Sequence, residues 1–402
     1  MKKVITMVGT SLFENYLEKN DDRNFKNAYN HFKNKKINAE NLDSELDRRR
    51  NIERALNETW FRKNKQNVSA EIKSLIKLKE ELNEDFEIHL LYSDTALSRL
   101  AAEILQKVIT QYYDEFKKDK VEIKKIENLQ IWDRDKFIKD GMTNLIKTIY
   151  DIANYDWQNV IINITGGYKA TIPYLTILGQ VNKCPIYYIF EDTDATIKIP
   201  YVPIDIKWRV FEENEGFFMD LERKNISELP AGINFRDEVQ SLLEIVDNLY
   251  TLNPLGVTLW EKYKEGFVLF YISPVIDNYI QKNQERKTII EKSFLELHRR
   301  LYSNPDNPDL DHKISGWQPP ERFKIFKHKE ENLQVRILYR ADKWKTIYGS
   351  MEYSIYIGLI AIGQEVHNVE SEYIESFKQN QKRIENLNEY KIYKIKKEVS
   401  HV

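Results

Sequence analysis

Cysteine is almost missing from this chain: Cys184 is the only one in 402 residues. One thiol cannot close an internal disulfide, and with no second cysteine or neighbouring histidine to share a metal it reads as core filling. Glycine and proline are also scarce, at 13 and 11 residues, which excludes collagen-like and low-complexity chains. No apolar run reaches the roughly 20 residues that span a bilayer. The opening MKKVITMVGTSLFENYL has the lysines of a signal peptide, but its apolar stretch is short and broken by Gly9-Thr10-Ser11. A cytoplasmic protein is therefore expected. A net charge of −2 removes any chain-wide basic character, so charge must be read locally.

What is present is a long, ordinary globular composition, 42% hydrophobic. That is too long for one core and implies two or three domains. Up to Ile206, strand and helix signals alternate. KKVITMV, FEIHLLYSD, KVEIKKI, NVIINI, PIYYIFED and ATIKIPYVPIDI read as strands. Between them lie SLFENYL, a charged helical stretch from about residue 41 to 82, TALSRLAAEILQKVI, KFIKDGMTNLIKTIYDI and ATIPYLTILGQ. Alternation of this kind predicts an α/β domain with a mainly parallel sheet. From 207 to 264 the pattern shortens to helices, FRDEVQSLLEIVDNLY and NPLGVTLWEKYKE, which suggests a helical or winged-helix connector. Residues 211–250 hold ten Asp/Glu against three Lys/Arg, a balance that argues against DNA contact. From 265 to 402 the order is strand, two helices, three strands and a closing helix, predicting an α+β domain.

Three strand ends in the first domain carry small or hydroxylated residues: Gly9-Thr10-Ser11, Ser93-Asp94-Thr95, and Thr165-Gly166-Gly167-Tyr168-Lys169. In open α/β sheets ligands gather at such ends, where glycine lets backbone N–H groups approach an oxyanion and a helix start favours negative charge. For any one of them a tight turn is the commoner reason for glycine. Three in matching positions point to a phosphate-bearing ligand, with Lys169 as a full cation. None is a GxGxxG or GxxxxGK[ST] motif, which disfavours dinucleotides and ATP hydrolysis.

VGTSLFEN, LYSDTALSRLAAEIL and INITGGYKATIPYLTILGQ, in this order and spacing, resemble the Rossmann-like CARF domain of type III CRISPR ancillary proteins across roughly residues 1–206. The resemblance implies a homodimer that binds a cyclic oligoadenylate, tetra- or hexa-adenylate, across its two-fold axis. Gly9, Thr10, Ser11, Ser93, Asp94, Thr95, Thr165, Gly166, Gly167 and Lys169 are then the binding candidates. Whether such a domain also degrades its ligand stays open. The charged stretch after the first strand departs from shorter members of the family.

The last domain offers two resemblances. Arg322 and His328 have the Arg-x4–6-His spacing of HEPN ribonucleases, but RFKIFKH alternates like a strand and HEPN domains are helical. The order FVLFYIS, VIDNYIQ, IIEKSFLELHRRL, RFKIFK, LQVRILYRAD, YIGLIAIGQEVHN instead looks like a RelE-family messenger-RNA interferase. Residues 313–345 hold nine Lys/Arg against four Asp/Glu, a basic zone suited to an RNA backbone. The resemblance implies ribosome-dependent cleavage of mRNA by 2′-hydroxyl attack, with no metal or cofactor. It implies Arg336 as the leading catalytic residue, with Lys324, Arg322, His367 and Tyr373 beside it. Strand alternation puts Arg322, Lys324, Phe326 and His328 on one face; Phe326 stands where the family expects a second lysine, and Trp317 and Trp344 are candidates to stack on bases.

Overall fold

The computed structural model describes residues 1–190, 195–224, 226–330, 332–346 and 351–397, without the side chains of Phe190, Val366 and His367. The chain divides into two compact units, residues 1–263 and 264–402.

In the first unit six strands form one sheet: β1 (Lys2–Val8), β2 (Phe86–Ser93), β3 (Lys120–Ile126), β4 (Val160–Asn163), β5 (Ile186–Phe190) and β6 (Ala195–Ile199). Their order is β3-β2-β1-β4-β5-β6. The first five strands run parallel and β6 returns antiparallel. This is the mixed α/β, Rossmann-like architecture that the alternation predicts. The order reverses between β1 and β4, the switch point where ligands bind in such sheets. β4 is buried at every position, as expected of a central parallel strand covered on both faces. Helices enter the sheet with conventional caps: Thr95 accepts the Ser98 N–H and Ser69 accepts the Ile72 N–H.

The charged stretch after β1 becomes several helices, and its last, Ala70–Leu82, is no surface appendage. It buries seven residues, Glu71 among them. The segment from 207 to 263 belongs to this first unit. FRDEVQSLLEIVDNLY is not one helix as its composition suggests. It is a short helix, Arg236–Ser241, and a hairpin of β7 (Leu243–Val246) and β8 (Leu249–Leu252). Asp247 and Asn248 between them take φ of 52° and 62°, the left-handed pair that a two-residue hairpin turn demands. NPLGVTLWEKYKE does form a helix, Pro254–Glu265, with Asn253 accepting the Gly256 N–H.

The second unit is α+β. Its sheet has the order β10-β11-β12-β9-β13, from β9 (Phe267–Ile272), β10 (Lys324–Glu330), β11 (Leu333–Lys345), β12 (Met351–Gly363) and β13 (Lys391–Lys396). β9 runs parallel to β12; the other pairs are antiparallel. Helices Pro274–Lys282 and Lys287–Ser303 pack on one face with Phe270, Phe326, Ile337 and Tyr339. The helix Val366–Glu385 covers the other with Ile325, Leu338, Leu359 and Tyr373. β13 was not foreseen, because its alternating lysines look like a solvated tail.

Candidate functional site

At the switch point the three strand ends meet. Gly9 and Gly167 are so close that a methyl on Gly9 would lie 3.0 Å from the Gly167 nitrogen. Gly166 is boxed in, its Cβ position 2.5 Å from both Met7 O and Glu71 Oε1. Gly167 adopts φ +84°, which a side chain would strain. The β2 end joins them: Ser93 donates to the Tyr168 hydroxyl at 3.3 Å, and Ser98 donates to Val8 O at 3.2 Å. Burial holds the Tyr168 hydroxyl above its usual range.

Several of the expected donors are already engaged within the protein. Thr165 Oγ1 donates to Asn163 Oδ1 at 2.7 Å and accepts the Ile189 N–H. Thr95 is the helix cap, and Asp94 Oδ2 accepts the Asn128 N–H at 3.2 Å. Thr10 donates to Glu14 at 3.2 Å. Arg99, on the helix that Thr95 caps, is likewise tied to Glu103, Asp43 and Ala39 O, though it was not among the candidates. Glu71, from the buried helix Ala70–Leu82, accepts the Gly9 N–H at 2.8 Å and the Ser11 hydroxyl at 3.3 Å. It is only 1% exposed. No motif pointed to Glu71, because a glutamate in a charged helical run looks like a solvated face. Lys169 is exposed at the start of a short helical turn, and among the described residues it has no ion-pair partner. The helix that follows leaves Ile177 39% exposed, with Pro173 exposed beside it.

In the second unit Arg336 and Tyr373 come together. Arg336 is fully buried, and its Nη2 and Nε donate to Glu370 Oε1 at 3.2 and 3.4 Å. His312 Nε2 lies 3.2 Å from the same oxygen. Among the described residues the buried Tyr373 hydroxyl has no hydrogen-bond partner, and desolvation raises it well above the usual phenol range. Trp317 packs edge-on against Tyr373 at 5.6 Å. His312 keeps 23% of its side chain exposed. Glu370 keeps 20%, so both reach solvent, while the buried Arg336 holds the carboxylate that holds the imidazole.

The remaining candidates lie elsewhere. Lys324, Phe326 and His328 pair with Tyr339, Ile337 and Val335, which places them on the opposite sheet face from Arg336. On β10 the residue paired with Arg336 is Lys327, exposed. Arg322 precedes β10 at φ +68° and is held by Asp342 at 3.0 Å. It does not share their strand face. His328 contacts Glu330 at 3.0 Å and stacks on Phe326, so the HEPN pairing with Arg322 does not form. His367 falls in the first turn of the last helix, and its side chain lies outside the described residues. The sequence pointed to Arg336 and Tyr373 but missed His312 and Glu370, since neither belongs to a local motif.

Residues 66–202 match the CRISPR-associated protein family Cas_APE2256. The match begins just before the helix that carries Glu71 and ends after β6, so it contains the β2 and β4 ends. Among solved structures, the chain is similar to Can2 from Sulfobacillus thermosulfidooxidans in complex with cyclic tetra-adenylate, at 14% identity and a TM-score of 0.20. That likeness covers 47% of this chain and 61% of that one, too loosely to place residues. No curated protein matches the chain.

Proposed function

We propose that the chain is a cyclic-oligoadenylate-activated endoribonuclease of type III CRISPR defence, its first unit sensing the nucleotide and its second cutting RNA. The observation that carries the reading is the meeting of the Gly9 and Gly166-Gly167 ends at the switch point of a sheet largely inside the CRISPR-associated match. The ligand is cyclic tetra-adenylate, the nucleotide present in the Can2 structure, with the hexa-adenylate as competitor. Lys169 and the Gly167 backbone meet its phosphates. Two copies bind one ring, because a two-fold symmetric ligand suits an isologous interface, and the exposed Pro173 and Ile177 beside Lys169 give that interface apolar surface.

The cutting centre is His312 with Glu370, Arg336 and Tyr373. His312 takes the proton of a 2′-hydroxyl as its oxygen attacks the adjacent phosphate; the bond to the 5′-oxygen breaks, leaving a 2′,3′-cyclic phosphate and a 5′-hydroxyl protonated from water. Glu370 orients the imidazole and Arg336 holds Glu370. Lys327 and the basic zone around it hold the RNA backbone. Messenger RNA on the ribosome is the substrate. The segment 207–263 transmits the change to the extent that the ligand binds the active arrangement more tightly.

The test incubates the protein with cyclic tetra- or hexa-adenylate, with free RNA and with translating ribosomes, and looks for cleaved message. Cleavage only with nucleotide and ribosomes is expected. His312→Ala should abolish it while cyclic tetra-adenylate still binds, whereas Arg336→Lys should retain part of it. No cleavage in any combination sinks the enzyme reading, and full activity in His312→Ala removes the cutting centre named here.

A further inference from the structure

A cluster of metal-ligating groups lies well away from the strand ends. Glu87 and His89 alternate on β2, so both project from one face of the sheet. The parallel register sets His89 opposite Glu122 and Glu87 opposite Lys120 on β3. The three potential ligand atoms of Glu87, His89 and Glu122 all lie within 4.8 Å of one another. His89 is only 5% exposed. Its Nε2 stands 3.3 Å from Glu87 Oε1, yet is not aligned into a hydrogen bond and has no other partner among the described residues. Its Nδ1 stands 3.6 Å from Glu122 Oε2. A buried imidazole nitrogen left without a hydrogen bond is costly; this one faces the Glu87 carboxylate, while the other ring nitrogen faces that of Glu122.

The charge at the centre is supplied by Lys120, whose Nζ is 2.6 Å from Glu122 Oε1 and 3.8 Å from Glu87 Oε1. Lys120 is 61% exposed and hangs on a flexible stem. It can swing out to leave one nitrogen and two carboxylates on two hydrogen-bonded strands. That is a three-ligand set with an open position, the donor chemistry of zinc and not of magnesium or calcium, which prefer all-oxygen shells.

We propose that Glu87, His89 and Glu122 form a zinc site in which Lys120 is the competing internal cation. The site pins edge strand β3 to β2. It lies about 13 Å along β2 from Ser93, at roughly 3.3 Å per residue, so it is separate from the nucleotide end of the sheet. Its effect nonetheless reaches that end: the chain leaving β3 supplies Leu129 O to the Asp94 N–H and the Asn128 N–H to the Asp94 carboxylate. Nothing in the sequence announces the cluster, because Glu-x-His and a glutamate on another strand form no motif.

The test uses the full, tag-free chain stripped with chelator and titrated with zinc chloride, magnesium and calcium serving as controls. One zinc per chain, a rise of several degrees in the melting temperature and no response to the controls are expected. Glu122→Gln, at an exposed position, should lose the binding and the thermal shift. Lys120→Met should bind at least about fivefold tighter, as removal of an ammonium from the carboxylates predicts. Zinc binding that survives Glu122→Gln overturns the assignment, as does the absence of zinc in both wild type and Lys120→Met.

Discussion

Replacing Glu71 should loosen the whole switch point. Its carboxylate accepts the Gly9 N–H at 2.8 Å and the Ser11 hydroxyl at 3.3 Å while 1% exposed. A hydrogen bond to a charged acceptor contributes about 1.5–3 kcal/mol, and the longer second bond adds less. Glu71→Ala removes both acceptors along with one buried methylene, worth about 0.8 kcal/mol. The sum is about 3–4 kcal/mol. Glu71→Gln keeps a neutral oxygen for Gly9 and should cost about 1 kcal/mol. For a unit of this size each kcal/mol moves the melting temperature by about 2–4 °C. The alanine variant should therefore melt roughly 6–16 °C lower and the glutamine variant roughly 2–4 °C lower. Calorimetry on the full chain, following the transition of the first unit, measures both. A double-mutant cycle with Ser11→Ala should show positive coupling. An alanine variant within 2 °C of wild type, with no coupling to Ser11, would refute the view that this carboxylate ties the ends together.

Two further expectations concern ligand and pH. Lys169→Ala should weaken cyclic tetra-adenylate binding about fivefold, a loss of about 1 kcal/mol for an exposed ion pair, with unchanged melting and a shallower salt dependence of binding by isothermal titration. Acid should act oppositely on the two units. Burial lowers His298 to about 4, so below the ordinary value of 6.5 the unfolded chain takes up a proton that the folded one refuses. The second unit then loses about 3 kcal/mol as pH falls from 6.5 to 4. Burial raises Glu244 to about 7, so its folded form holds a proton that the unfolded form gives up above about 4.5. That contribution to the first unit is present in acid and is lost as pH rises toward 7. Melting curves at pH 5 and 7 should show the second-unit transition rising with pH, and Glu244→Gln should flatten the pH slope of the first unit.

The strands of the first unit were legible because buried parallel strands are written as short β-branched runs between helix starts, as in Val160–Asn163. The meeting of their ends was legible too, since glycine and hydroxyl residues recur at the same point of each repeat. What the sequence hid was which side chains the fold had already engaged. Thr165, Thr95 and Asp94 look like ligand donors in one dimension and turn out to hold the strand ends in shape. Buried charge was hidden for a related reason. Glu71 occupies a stretch whose average polarity says surface, and only its tertiary neighbours, the Gly9 N–H and the Ser11 hydroxyl, make its burial tolerable. Sheet faces were misassigned around Arg322 because its left-handed backbone breaks the alternation before β10 begins.

The lysine-studded strand β13 bears on how the protein can be handled. It lies along β9, pairing Lys391 with Ile272 and Lys396 with Phe267. Beneath it is FVLFYI, six residues without charge, glycine or proline, a segment of the kind that stacks into aggregates when its edge is bare. The lysines of β13 make a poor template for another strand. A version of the protein ending at Asn386 would keep both clusters described above and lose this guard. It should precipitate on expression, where the full chain stays dispersed.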